Sequence, residues 1–320
     1  MAFRSPLPWW RGTWAAFLAS LVLTSGGCRV LVTVFVARAP NHECPPDPNR
    51  DPSAKDLSTL GVARSFLVDV GPPPALLRVW VVEPSKTIAT HRGTILILHG
   101  WWCSSRCMLS YAKALAEAGF RCALVDLRGQ GRSSGDWLTY GVLESRDLTQ
   151  VLNALENSGV AEHPVGVFGI SYGAAVSLQF AARDDRVEAV VALAPFSSLR
   201  ECVPHYVRLC LPIWGWLAPE RWIQAAVSNA GKLGGFDPDA ASSIAAARIL
   251  RAPALLIHGG SDWLIPAEHS RRIHAASPER TELVVLDGIG HNRLLFDPGG
   301  QVSRLAVEWL SDRLGAAKKR

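Results

Sequence analysis

The chain has 320 residues, 48% of them hydrophobic and only 19% charged. That composition excludes a disordered chain and supplies a large core. The net charge of +5 comes from scattered Lys and Arg, clustered only at Lys318, Lys319 and Arg320, so the basic stripe with interleaved aromatics of a nucleic-acid groove is missing. Long apolar runs occur only near the N-terminus, which excludes a multi-span membrane protein.

From Trp14 to Ala37 run 24 residues with one charge, Arg29. As a helix this run reaches ~36 Å, against a hydrocarbon core of ~30 Å. Trp9, Trp10 and Trp14 stand where an interfacial aromatic belt would lie. Residues 1–38 are therefore expected to form a single-span N-terminal membrane helix. The alternatives are a cleaved signal peptide, with Arg4 and Arg11 ahead of an apolar Ala15–Leu23 stretch, a lipid anchor at Cys28, or a buried helix. Flanking charges are balanced and leave the orientation undecided. Residues 39–58 contain Pro40, Pro45, Pro46, Pro48 and Pro52 and read as a semi-rigid linker. The globular domain is expected over residues 59–320.

Along that domain, apolar β-branched runs alternate with helical patterns. Strands are predicted at Ser65–Val70, Leu77–Val82, Thr94–Leu98, Cys122–Asp126, Val165–Phe168, Ala189–Leu193, Ala254–Ile257 and Leu283–Leu286. Helices are predicted at Met108–Ala118, Val142–Glu156, Tyr172–Ala182, Ala267–Ala276 and Val302–Leu314. The first two strands suit an antiparallel hairpin. The rest, nearly continuous in apolar residues, imply a parallel sheet covered on both faces. The strand-free stretch from about 196 to 250 is too long for a loop and reads as an insertion. The seven cysteines are odd in number and lack a CxxC, which argues against zinc and thioredoxin-like sites. Cys122 reads as a core residue, and Cys202 with Cys210 as the pair able to bridge in an oxidising compartment.

Val165-Gly166-Val167-Phe168 leads into Gly169-Ile170-Ser171-Tyr172-Gly173 and an apolar helix. Gly-x-Ser-x-Gly between strand and helix is a nucleophile elbow, with Ser171 on a strained turn and Gly169 and Gly173 where side chains would collide. A serine hydroxyl needs a base. His291, in Gly288-Ile289-Gly290-His291 after the final strand, is placed to swing back over the sheet edge. His99 and His258 follow strands in His-Gly pairs and read as backbone-orienting residues; His205, His269 and His274 read as surface or lid residues. Asp262 lies five residues after the seventh strand and is the expected partner of His291. Asp287 is the rival, and Asp126 with Arg128 reads as a loop brace. The oxyanion requires two N–H donors, expected from the backbones of Tyr172 and Trp101.

At this point the chain resembles the α/β-hydrolase superfamily over about residues 62–315. The order Ser171…Asp262…His291 is that superfamily's order. Asp126-Leu127-Arg128-Gly129-Gln130-Gly131-Arg132-Ser133 is similar to the segment after its fourth strand. The resemblance is closest to the serine aminopeptidase and monoacylglycerol-lipase-like branch. It implies a mostly parallel eight-stranded sheet, helices on both faces, and a helical lid after strand 6, here about residues 196–250. It also implies hydrolase activity with no metal and no cofactor. Trp101, Trp102, Trp137 and Trp263 on the catalytic-edge loops and the apolar lid suggest a small acyl substrate with an apolar portion. The leading expectation is a serine hydrolase cleaving a carboxylic ester through an acyl-enzyme. The alternatives are a peptidase or amidase on the same site, or a non-catalytic binding protein of the same fold.

Overall fold

The computed structural model describes residues 33, 36–40, 54–85, 91–210 and 214–317. Eight strands form one sheet: β1 (Arg64–Val70), β2 (Ala75–Val82), β3 (Thr94–Leu98), β4 (Arg121–Val125), β5 (Val165–Ile170), β6 (Val187–Leu193), β7 (Ala254–Gly259) and β8 (Thr281–Leu286). Their order is β1-β2-β4-β3-β5-β6-β7-β8. β2 runs antiparallel to both its neighbours, and β3 to β8 are parallel. Every residue of β3, β5 and β7 is buried, as strands covered on both faces require.

The helices are α1 (Ala54–Leu60), α2 (Leu109–Glu117), α3 (Glu144–Asn157), α4 (Tyr172–Arg183), α5 (Leu199–Cys210), α6 (Trp214–Leu217), α7 (Glu220–Gly234), α8 (Ser243–Ile249), α9 (Glu268–Ala276), α10 (His291–Phe296) and α11 (Gln301–Ala317). Two cores flank the sheet. On one face Leu148, Val151, Leu152 and Leu155 of α3 and the apolar residues of α4 pack on Leu96, Leu98, Val165 and Val167. On the other, Tyr111 and Leu115 of α2 and Val302, Ala306, Leu310 and Leu314 of α11 pack on Ile95, Ile97, Phe168 and Ile170. The insertion after β6 is helical, built of α5 to α8.

Several boundaries move. β5 continues to Ile170 because Ile170 still pairs with Leu193 of β6. α3 starts at Glu144, two residues late, after a turn in which Val142 N–H donates to Thr139 O at 3.1 Å. Cys202 and Cys210, the pair able to bridge by sequence, are not joined: Cys202 is a buried free thiol. The two lie on one helix, eight residues or ~12 Å apart, beyond disulfide reach. The disulfide joins Cys103 and Cys107 instead, with Cα atoms 6.3 Å apart.

Among the described residues no helix is long and apolar enough to cross a membrane. The stretch carrying that expectation, up to residue 32, and most of the proline-rich segment lie outside the described residues. Where the chain is described, it belongs to the domain. Val36, Ala37 and Ala39 are buried in the core. Leu138 N–H donates to Ala37 O at 2.9 Å, Ala39 N–H to Asp136 O at 3.0 Å, and the Tyr140 hydroxyl to Val36 O at 2.8 Å. The Thr33 hydroxyl donates to Ala226 O of α7 at 3.3 Å. The 58/59 boundary read from the prolines falls inside α1, whose Leu57 and Leu60 pack on the second core.

Candidate active site

β5 ends at Ile170 and α4 begins at Tyr172, leaving Ser171 alone in the turn with φ 56° and ψ −116°. L-residues rarely adopt this conformation, and it lifts the side chain out of the run of the strand. Its N–H donates to Leu193 O at 2.7 Å, holding the turn against β6. A Cβ at Gly173 would stand 2.5 Å from the carbonyl oxygens of Leu98 and His99, and one at Gly169 would collide with Gly173 O and Ser177 Oγ. Both glycines are therefore obligatory for the strand and helix to approach this closely.

The strand order changes direction around β3, since β4 lies on one side and β5 on the other. Ligands bind at such a switch point. Leu98 pairs with Gly169, so the loops after β3 and β5 leave the sheet side by side. A Cβ on Gly100 would touch Ser171 Cβ at 3.5 Å, an ordinary contact, and the positive φ of this loop falls on Trp102, at 58°. Glycine is thus not required at 100 for the turn. The Trp101 peptide is oriented by His99 instead. Leu127 N–H donates to His99 Nε2 at 3.0 Å, so the ring proton sits on Nδ1 and is donated to Gly100 O at 2.7 Å. Burial pushes the His99 pKa down, which keeps this neutral tautomer. In a trans peptide the N–H points opposite the carbonyl, so Trp101 N–H faces away from His99. Tyr172 is the first residue of α4, and its N–H has no acceptor within the helix.

Asp262 and His291 leave the edge from β7 and β8. His291 Nδ1 and Asp262 Oδ2 are 2.6 Å apart. His291 opens α10. Asp262 Oδ1 accepts from the N–H groups of Leu264 and Ile265 at 3.0 and 2.9 Å. His258 Nε2 lies 3.6 Å from Asp262 Oδ2 and donates to Ile265 O at 2.8 Å, while its Nδ1 accepts from the Ser270 hydroxyl at 2.6 Å. Burial alone would raise the Asp262 pKa; the nearby His258, the hydrogen-bonded His291 and the Ile265 amide outweigh it and hold the carboxyl well below the usual range. The ionised carboxylate directs the His291 proton to Nδ1 and leaves Nε2 as the basic atom. The Ser171 hydroxyl makes no hydrogen bond to any of the described residues. Asp287 makes none to His291 either, which leaves Asp262 as its carboxylate partner.

Asp126 is a loop brace, but its partners are the N–H groups of Ser105 and Arg132, at 2.6 and 2.7 Å. Arg128 pairs with Asp147 instead, through two hydrogen bonds of 2.7 Å. The insertion after β6 reaches the loops after β3 and β7 through α5. Tyr206 stands edge-on to Trp101 with ring centroids 6.1 Å apart, and His205 Nε2 donates to Trp263 O at 2.9 Å. Trp102 and Trp263 remain 70% and 64% exposed, an apolar rim beside the site. Spacing did not single out His205 for this contact, because its partner is 58 residues away.

The profile of the serine aminopeptidase family, S33, matches residues 89–248. The Bacillus subtilis protein YqkD is 28% identical over 226 residues, 69% of this chain and 72% of its own length. Among solved structures, a Pyrococcus furiosus esterase superimposes with a TM-score of 0.63 at 21% identity, covering 84% of this chain and 97% of its own. A Pyrococcus horikoshii acylaminoacyl peptidase gives 0.57 at 16%, over 83% of this chain and 44% of its own. At these identities the two structures speak for the fold alone. The profile spans half of the chain and takes in the loop after β3, the turn carrying Ser171 and most of the insertion after β6, and on that match the chain belongs to the serine aminopeptidase (S33) family of α/β-hydrolases.

Proposed function

We propose that this hydrolase cleaves carboxylic esters or related acyl substrates with an apolar portion. Ser171 attacks the carbonyl carbon while His291 takes its proton. The collapsing intermediate expels the alcohol, which receives that proton from His291. Water then attacks the acyl-enzyme with His291 again as base, releasing the acid and restoring Ser171. Asp262 keeps His291 oriented, and the Trp101 and Tyr172 amides bind the oxyanion. The observation that carries the reading is the strained Ser171 at the switch point, on the same sheet edge as a hydrogen-bonded Asp262–His291 pair. Trp101, Trp102, Trp263 and Tyr206 support an apolar acyl or leaving group.

The amidase alternative draws support from the family's name. A panel of p-nitrophenyl esters and aminoacyl p-nitroanilides separates the two, with esters expected to be the faster substrates. A fluorophosphonate probe is expected to label the wild-type chain and leave Ser171→Ala unlabelled. A folded wild type that stays unlabelled refutes the hydrolase reading and favours a binding role.

The domain is proposed to work outside the cytoplasm, carried there by the apolar N-terminal segment as signal or anchor. The Cys103–Cys107 disulfide supports this, because such bonds persist in oxidising compartments. Alkylation of intact cells is expected to leave these two cysteines unmodified until a reductant is added; free thiols there would place the domain in a reducing compartment.

A further inference from the structure

Tyr172 follows the nucleophile, and its side chain runs into a sealed polar cluster that the scheme above leaves unused. Its hydroxyl donates to Glu144 Oε1 at 2.6 Å and accepts from Tyr140 N–H at 3.0 Å. Glu144 has no exposed surface. Its carboxylate also accepts from Thr139 N–H at 3.0 Å, from Gly141 N–H at 2.9 Å and from the Thr139 hydroxyl. A buried carboxylate is tolerated when its lone pairs are filled. Four donors fill these, three from the 139–141 turn and the fourth from the elbow.

The ring of Tyr172 is a rigid lever held at both ends. Its Cα is fixed by the first turn of α4 and its oxygen by Glu144 and Tyr140. The Tyr140 ring packs beside it at 5.3 Å between centroids. Burial and the neighbouring carboxylate push the phenol well above its ordinary pKa, so it stays a donor. The peptide at the near end of this lever joins Ser171, whose φ and ψ are strained, to Tyr172. Strained backbone persists only where its surroundings over-determine it.

We propose that Glu144 is a positioning residue for acyl transfer, gripping the Tyr172 hydroxyl and thereby aiming the Tyr172 N–H at the developing oxyanion. This rests on the reading in which that N–H is an oxyanion donor. The mutation Tyr172→Phe keeps the ring and removes the hydroxyl, with its bond to Glu144 and its acceptance of the Tyr140 N–H. Losing an oxyanion donor outright lowers kcat by about 10²–10³. Loosening one is expected to lower kcat by about tenfold, with KM within twofold of wild type. The Ki of an alkylboronic acid, which forms a tetrahedral adduct on serine, is expected to rise by a similar factor. Counting kcat per site titrated with fluorophosphonate keeps unfolded protein out of the comparison. Glu144→Gln retains an acceptor for the phenol and is expected to keep more activity than Glu144→Ala. Wild-type kcat and boronate affinity in Tyr172→Phe overturn the proposal, as does a loss confined to KM. A wild-type protein inert to esters and probe overturns the hydrolase reading along with it, whereas an active wild type with an unaffected Tyr172→Phe sinks this proposal alone.

Discussion

Ser171 occupies a backbone conformation that stores on the order of 1–3 kcal/mol. Its neighbours hold it there: the Leu193 carbonyl, two glycines without side chains, and the anchored ring of Tyr172. Replacing Ser171 or His291 by Ala is expected to lower kcat on the order of 10⁶, and Asp262→Ala by about 10⁴, since the members of the proposed triad would act as one unit. Steady-state kinetics on a p-nitrophenyl ester measures each, and near-wild-type turnover in Ser171→Ala would remove the nucleophile assignment. The glycine-rich turns that carry Ser171, Asp262 and His291 after their strands were legible in the sequence, because they are a local pattern. Glu144 was not, because its meaning depends on a phenol 28 residues further along the chain.

At the level of elements, the lid is secured at its root by a buried histidine. Ser197, just before α5, donates its N–H to His269 Nδ1 of α9 at 3.2 Å, and its hydroxyl lies against both His269 and Glu201. Arg272 pairs with Glu201 at 2.6 Å. Burial lowers the His269 pKa to about 4; Glu201 favours the charge, while His258, His205 and Arg272 oppose it. The unfolded chain binds this proton near the ordinary value of 6.5, the folded one only near 4. His269 therefore favours unfolding progressively as pH falls below 6.5, by about 3 kcal/mol near pH 4. Denaturant midpoints at pH 7 and pH 4.5 are expected to show that decline, and His269→Gln to flatten it. An equally steep decline in the variant would assign the loss to other groups. Sequence reading placed His269 on the lid or the surface because an amphipathic helix pattern does not reveal which insertion folds over it.

For the whole molecule, the N-terminal segment ties body to lid. Val36, Ala37 and Ala39 pack beside the 136–140 turn, and Thr33 reaches α7. Val36→Ala in the full-length chain is expected to lower unfolding free energy by about 2 kcal/mol, the scale of two buried methyl groups plus a small cavity. Unchanged thermal and denaturant midpoints would mean that these residues add nothing to the fold. Hydropathy alone assigned Thr33, Val36 and Ala37 to a membrane-spanning run, because a core and a bilayer select the same side chains. The alternation of apolar strands and helices, the glycine-bounded serine and the order of the three site residues were determined by the sequence by itself, since strand period, steric limits at glycine and chain order are local properties. Only the tertiary structure decided that Asp262 and not Asp287 meets His291, that Arg128 belongs to Asp147, that Cys103 and Cys107 are the bridged pair, and that Tyr172 is held by Glu144. These pairings follow from which strand ends stand side by side and which turns face one another, and no spacing along the chain encodes those distances.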